Sequence, residues 1–125
     1  MAAHNYSAAL TYKQQQARTS SPGELTLMLY NGLVKFLKIG LQEMEDCDYE
    51  KVNSSLLRGQ EILNELRMTL DMKYEIAKSM DALYEYMNRR IIESNLKKDE
   101  EILKEVIGFA EEFRDTWAHA LKLVK

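Results

Sequence analysis

Cysteine and proline each occur once in this chain of 125 residues, and glycine occurs five times. The lone Cys47 excludes an internal disulfide. No Pro-rich linker and no internal repeat divides the chain, so its length reads as one domain. The glycines form no phosphate-cradling loop, which leaves nucleotide chemistry without support. Long apolar runs are missing too. The longest acid-free apolar stretch, Leu25 to Gln42, is interrupted by Lys35 and Lys38, whereas a spanning helix needs about 20 nearly unbroken apolar residues. No membrane insertion is expected. Met1 to Ala9 lacks the basic start and apolar centre of a secretory signal, so the expected compartment is the cytoplasm.

Positive charge is in deficit, with 17 basic against 20 acidic residues and a net charge of −3. Nucleic-acid binders usually carry a basic face, so no nucleic-acid partner is expected. Residues 1–21 hold Lys13 and Arg18 and no acid, but polybasic anchors use clusters of roughly 4 to 8. Within residues 1–20, Tyr6, Leu10 and Tyr12 are scattered among Ala, Ser, Thr and Gln. This segment reads as a mobile arm or one short helix ahead of a bundle domain at 21–125.

What the chain does have is 46% hydrophobic residues at helical spacing, enough at this length to bury roughly two thirds of the unfolded surface without a disulfide or metal. No run of four or more residues alternates apolar with polar as a half-buried strand does. The fold class is therefore all-α. Ser21-Pro22-Gly23-Glu24 is a capping box with Pro at the first helical position, which starts a helix running to about Glu45. Asp46-Cys47-Asp48 breaks it, and Asp48 is placed to cap a second helix with Val52, Leu56, Leu63, Leu66 and Leu70 on one stripe. After a register change at Asp71 to Lys73, a third helix presents Ile76, Met80, Leu83, Tyr84, Met87 and Ile91 up to a break at Asn95. Asp99 caps a fourth, whose seam is Ile102, Val106, Phe109, Phe113 and Ala120. Four helices on short connections predict an antiparallel up-down four-helix bundle.

Groups that could carry a reaction are few: His4, His119 and Cys47 are the only imidazoles and thiol. His119 falls on the polar side of the fourth helix, away from Phe109 and Phe113, and Cys47 lies between two acids that disfavour a thiolate. A di-iron bundle needs Glu-x-x-His pairs and the chain has none; nor is there a Cys-x-x-Cys-His haem attachment. No enzyme activity, cofactor or metal is expected.

The first helix is more specific. One apolar stripe is Leu25, Leu29, Leu33 and Phe36, and a second is Leu27, Tyr30, Val34, Leu37 and Leu41, leaving Asn31, Lys35, Lys38 and Gln42 as a narrow polar strip. A corner helix of a bundle needs an apolar arc of about 100°, so this one has apolar surface to spare. Either the arm or a second copy covers the surplus, or the second stripe forms a groove for another protein's amphipathic helix, with the arm as a removable lid.

The segment Ser21-Pro22-Gly23-Glu24-Leu25-Thr26-Leu27-Met28-Leu29-Tyr30-Asn31-Gly32 is followed by Asp81-Ala82-Leu83-Tyr84-Glu85-Tyr86-Met87-Asn88-Arg89-Arg90, then Ile91-Ile92-Glu93-Ser94-Asn95 and Arg114-Asp115-Thr116-Trp117. In this order, from about Tyr12 to Leu121, the chain resembles the bacterial flagellar secretion chaperones that bind flagellin. The resemblance implies a helical bundle that holds the disordered C-terminal segment of flagellin, blocks premature polymerisation and delivers it to the flagellar export gate. It implies no cofactor and no reaction. Tyr12, followed by Gln14, matches the family's N-terminal tyrosine, so the resemblance gives Tyr12, with Tyr6 and Leu10, the part of a lid over the binding site. The expected flagellin-binding groove is Leu27, Tyr30, Val34, Leu37 and Leu41, joined by Ile62 and Met68, which lie off the core stripe of the second helix. Arg89 and Arg90 are read first as partners of nearby acids such as Glu85, Glu93 or Asp81. A self-associating helical adaptor, its extra stripe buried in a homodimer and with no client, is the alternative.

Overall fold

The computed structural model describes residues 21–124, and among them are four helices and no strand. Helix α1 spans Pro22–Glu45, α2 Tyr49–Met68, α3 Glu75–Lys97 and α4 Glu100–Leu123. Local chemistry sets most of these ends. The Ser21 hydroxyl accepts from the Glu24 amide at 3.2 Å ahead of Pro22, and Asp99 accepts from the amides of Glu101 and Ile102 at 2.9 and 3.3 Å. Asp48 occupies the residue before α2, but its side chain makes no capping bond; its carboxylate instead meets Lys51 Nζ at 3.4 Å. The third helix does not break at Asn95. It continues to Lys97 and ends where Lys98 turns left-handed (φ 52°) with its amide donating to the Ser94 carbonyl, because the Asn95 side chain bonds across to Asn53 rather than to its own backbone.

Contacts between neighbouring helices run in opposing order, so every neighbouring pair is antiparallel. Between α1 and α2, Gly32 faces Ile62, Leu37 faces Gly59 and Gly40 faces Leu56. Between α2 and α3, Arg67 pairs with Asp81 at 2.7 Å and Asn53 with Asn95 at 2.9 Å. Tyr86 and Arg90 of α3 both reach Glu105 of α4, while the Trp117 indole of α4 donates to the Gly23 carbonyl of α1 at 2.8 Å. The backbones of α1 and α3 stay apart on one diagonal of the bundle, and those of α2 and α4 on the other.

The core centres on α1. Leu33 and Leu37 are fully buried with Leu56, Leu63, Met87, Ile91, Leu103 and Val106. A Cβ added at Gly40 would stand 2.7 Å from Leu56 Cδ2, and one at Gly59 would stand 3.0 Å from Leu37 Cδ2. Glycine at these two positions is what lets α1 and α2 approach so closely. The helical stripes behave as expected with two exceptions, Ile76 and Ala120, which lie near helix ends and are exposed.

Candidate functional site

Antiparallel alternation brings the first turns of α1 and α3 and the last turns of α2 and α4 to one end of the bundle. The longest connection, residues 69–74, also crosses there. Among the described residues the apolar stripes run out to this end, and the result is a groove of about 900 Å³. Helix α1 lines it with Leu25, Thr26, Leu29 and Tyr30, and α3 with Ile76, Ala77, Met80, Leu83 and Tyr84. Phe109, Phe113, Thr116 and Trp117 come from α4, and Thr69, Leu70 and Tyr74 from the connection. The mouth is apolar as well: Ile76 is 70% and Tyr74 63% exposed. Exposed apolar surface of this kind, contiguous with a concave apolar site, marks a place where another chain binds.

At the floor Tyr30 and Tyr84 are buried and their hydroxyls hydrogen-bond to each other across the diagonal of the bundle. Phe113 sits beside both rings, at 6.3 Å from Tyr30 and edge-on to Tyr84 at 6.2 Å. Burial pushes both hydroxyls above the usual tyrosine value, and for Tyr84 the bond to Tyr30 adds to the rise. Both are therefore neutral at any working pH. Among the described residues, the only charged members of the lining are Asp71 and Glu112. Such a site can bury an apolar segment and form a few neutral hydrogen bonds, but it holds no nucleophile with a base beside it. Among the described residues, no group of three or more His, Cys, Asp or Glu side chains is placed to hold a metal.

The residues expected from the sequence to form a groove on α1 fall in different places. Tyr30, Val34 and Leu37 are buried in the core. The reason is that α1 packs closely against both α2 and α4, which take up much of the wide apolar arc, while Leu25, Leu27, Phe36 and Leu41 stay half-buried. Tyr30 alone of the expected set also lines the groove. Leu27 is half-buried, Leu41 and Ile62 are half-buried against the core, and Met68 is 81% exposed at the end of α2. Tyr6, Leu10 and Tyr12 lie outside the described residues. Sequence reasoning missed Tyr84, Met80, Leu83, Phe109 and Phe113, which it assigned to the core. The available signal was the antiparallel topology itself, which sends three apolar stripes to one end together with the longest connection.

Arg90 is held by Glu93 at 2.6 Å and Glu105 at 3.1 Å, and Arg89 lies over the Tyr86 ring at 5.7 Å. His119 and Cys47 are exposed.

A family model described as "Flagellar protein FliS" matches residues 3–124. The chain belongs to this family. It is 44% identical over 111 residues to the flagellar secretion chaperone FliS of Bacillus subtilis (strain 168), covering 89% of this chain and 84% of the relative. The chaperone of the same name in Escherichia coli (strain K12) is 31% identical over 106 residues, or 82% and 78% of the two chains. That of Vibrio cholerae is 30% identical over 104 residues, or 82% and 76%. The family is one of flagellar chaperones and not of enzymes, which agrees with a site built to bind and not to react. Among the described residues no helix is long and apolar enough to cross a membrane.

Proposed function

We propose that this chain is a cytoplasmic export chaperone that binds the disordered C-terminal segment of flagellin, prevents its premature polymerisation and delivers it to the flagellar export gate. One observation carries the reading beyond family membership: an apolar groove with an exposed Ile76 and Tyr74 at its mouth, on a bundle whose core is otherwise closed. A disordered client pays for its own ordering as it binds, so it needs a large apolar contact of this kind. Leu27, Leu41 and Ile62, partly exposed, and Met68, exposed, extend the contact beyond the groove. Tyr6, Leu10 and Tyr12 act as a lid that the client displaces, so removing residues 2–20 strengthens client binding.

Calorimetric titration with the C-terminal segment of flagellin from the same organism tests the proposal. The expected outcome is one-to-one binding with a large negative heat-capacity change. Absence of heat together with absence of co-elution sinks it. Self-association is the second reading, and one surface favours it: Asn53 and Asn95 bond at 2.9 Å, and exposed Leu57, Ile92 and Leu96 flank that bond on α2 and α3. A dimer that persists on dilution in light scattering, with no response to the flagellin segment, selects that reading.

A further inference from the structure

The hydrogen bond at the groove floor leaves a proton unspent. Two phenol hydroxyls carry two donor protons, and the single bond between Tyr30 and Tyr84 uses one of them. Among the described residues neither hydroxyl bonds to any other group. The groove lining that the pair shares is largely aromatic and aliphatic, Phe113, Met80 and Leu29 among it. A buried donor without an acceptor is costly, and a ligand that brings one recovers that cost.

We propose that the Tyr30–Tyr84 pair is a specificity element that reads a neutral hydrogen-bond acceptor, the side-chain amide carbonyl of Asn or Gln, on the apolar face of a bound helix. The inference rests on the groove being the client site. Two features of the groove select this chemistry. Main-chain carbonyls inside a helix are already bonded to amides four residues on, so the acceptor comes from a side chain. A carboxylate is disfavoured because, among the described residues, the charged members of the lining, Asp71 and Glu112, are both acidic. Glu112 makes no ion pair among the described residues, whereas Asp71 has Lys73 at 3.8 Å. The fitting partner is thus an apolar helix with one central amide and a basic residue placed to meet Glu112.

The test uses three synthetic amphipathic helices, identical except for Gln, Leu or Glu at the centre of the apolar face, each with one flanking Lys, titrated into the full chain. The Gln peptide is expected to bind about tenfold more tightly than the Leu peptide, and the Glu peptide most weakly. The Gln preference should vanish in the Tyr30→Phe/Tyr84→Phe double variant, which replaces both partners by rings of the same shape and so spares the fold. Should that variant fail to fold, Tyr84→Phe alone is used, with loss of part of the preference expected. The proposal is overturned if the Leu peptide matches the Gln peptide, if the preference survives without the hydroxyls, or if none of the three binds. Titration with the flagellin segment is read separately. A chain that prefers the Gln peptide yet ignores flagellin keeps this inference and loses the flagellin reading.

Discussion

At the scale of single residues, the groove end is fastened by one bond that joins the last helix to the first. Trp117 donates its indole N–H to the Gly23 carbonyl at 2.8 Å. Trp117→Phe keeps most of the ring and removes the donor. We expect a loss of about 1 kcal/mol, the ordinary net value of such a bond, read as a lower urea midpoint at unchanged slope. Position along the chain places Trp117 near the end of the fourth helix. Its partner was not legible, because a backbone carbonyl carries no mark in sequence. The same holds for Tyr30 and Tyr84: each reads as a large apolar residue on a stripe, and only the diagonal placement of α1 and α3 brings the two hydroxyls together. Capping residues were legible because their chemistry is local. Ser21 and Asp99 bond amides two or three residues away, whereas Asp48 shows that a good residue in the right place is drawn off by a neighbouring lysine.

At the scale of elements, the decisive question was what the second stripe of α1 is for. Periodicity reports which positions are apolar, and it cannot say whether a wide arc faces a client or two close neighbours. The structure packs Tyr30, Val34 and Leu37 of it against the neighbours, with a tight approach at Gly40 and Gly59, and leaves Leu27 and Leu41 half-buried. Leu37→Ala should therefore cost about 2–5 kcal/mol, as for a fully buried leucine. Ile39→Ala, two residues on and exposed, should stay within about 0.5 kcal/mol. Equal effects in thermal melts would return the stripe to the surface. The α2–α3 pair is held differently, by polar contacts. Hydrogen bonding from Arg67 across the pair holds the Asp81 carboxyl below its usual value, and within α3 Lys97 and Arg90 do the same for Glu93. A carboxyl with a depressed folded value contributes stability above its unfolded value and loses it as pH falls through the folded one. Stability should thus decline on acidification through and below the ordinary carboxylate range, and Asp81→Asn should shrink that decline. Comparing melting temperatures of the two proteins at about pH 7 and about pH 3 checks the sign.

At the scale of the whole molecule, the bundle is asymmetric end to end. One end closes with the short turns at Asp46–Asp48 and Lys98–Asp99; the other carries residues 69–74 and opens into the groove. Helix number, order and antiparallel sense were legible from apolar spacing and capping residues, since each depends on short-range pattern. The groove was not, since it is made by three stripes ending at one level beside the longest connection. A matched pair of substitutions separates groove recognition from general surface stickiness. Ile76 and Leu96 are both on α3 and both exposed, at 70% and 81%, but Ile76 lines the groove and Leu96 lies at the opposite end of the bundle. Neither Ile76→Asp nor Leu96→Asp should move the melting temperature by more than a few tenths of a kcal/mol equivalent, or about 2 °C, because neither side chain is core. Ile76→Asp places a carboxylate beside an apolar mouth already bordered by Asp71 and Glu112. It should weaken binding of the flagellin segment by about tenfold or more, the cost of about 1.4 kcal/mol for losing one well-placed apolar contact. Leu96→Asp should weaken it by much less. If calorimetry finds the two variants equally impaired, the client is held over the length of α3 and the groove loses its special role.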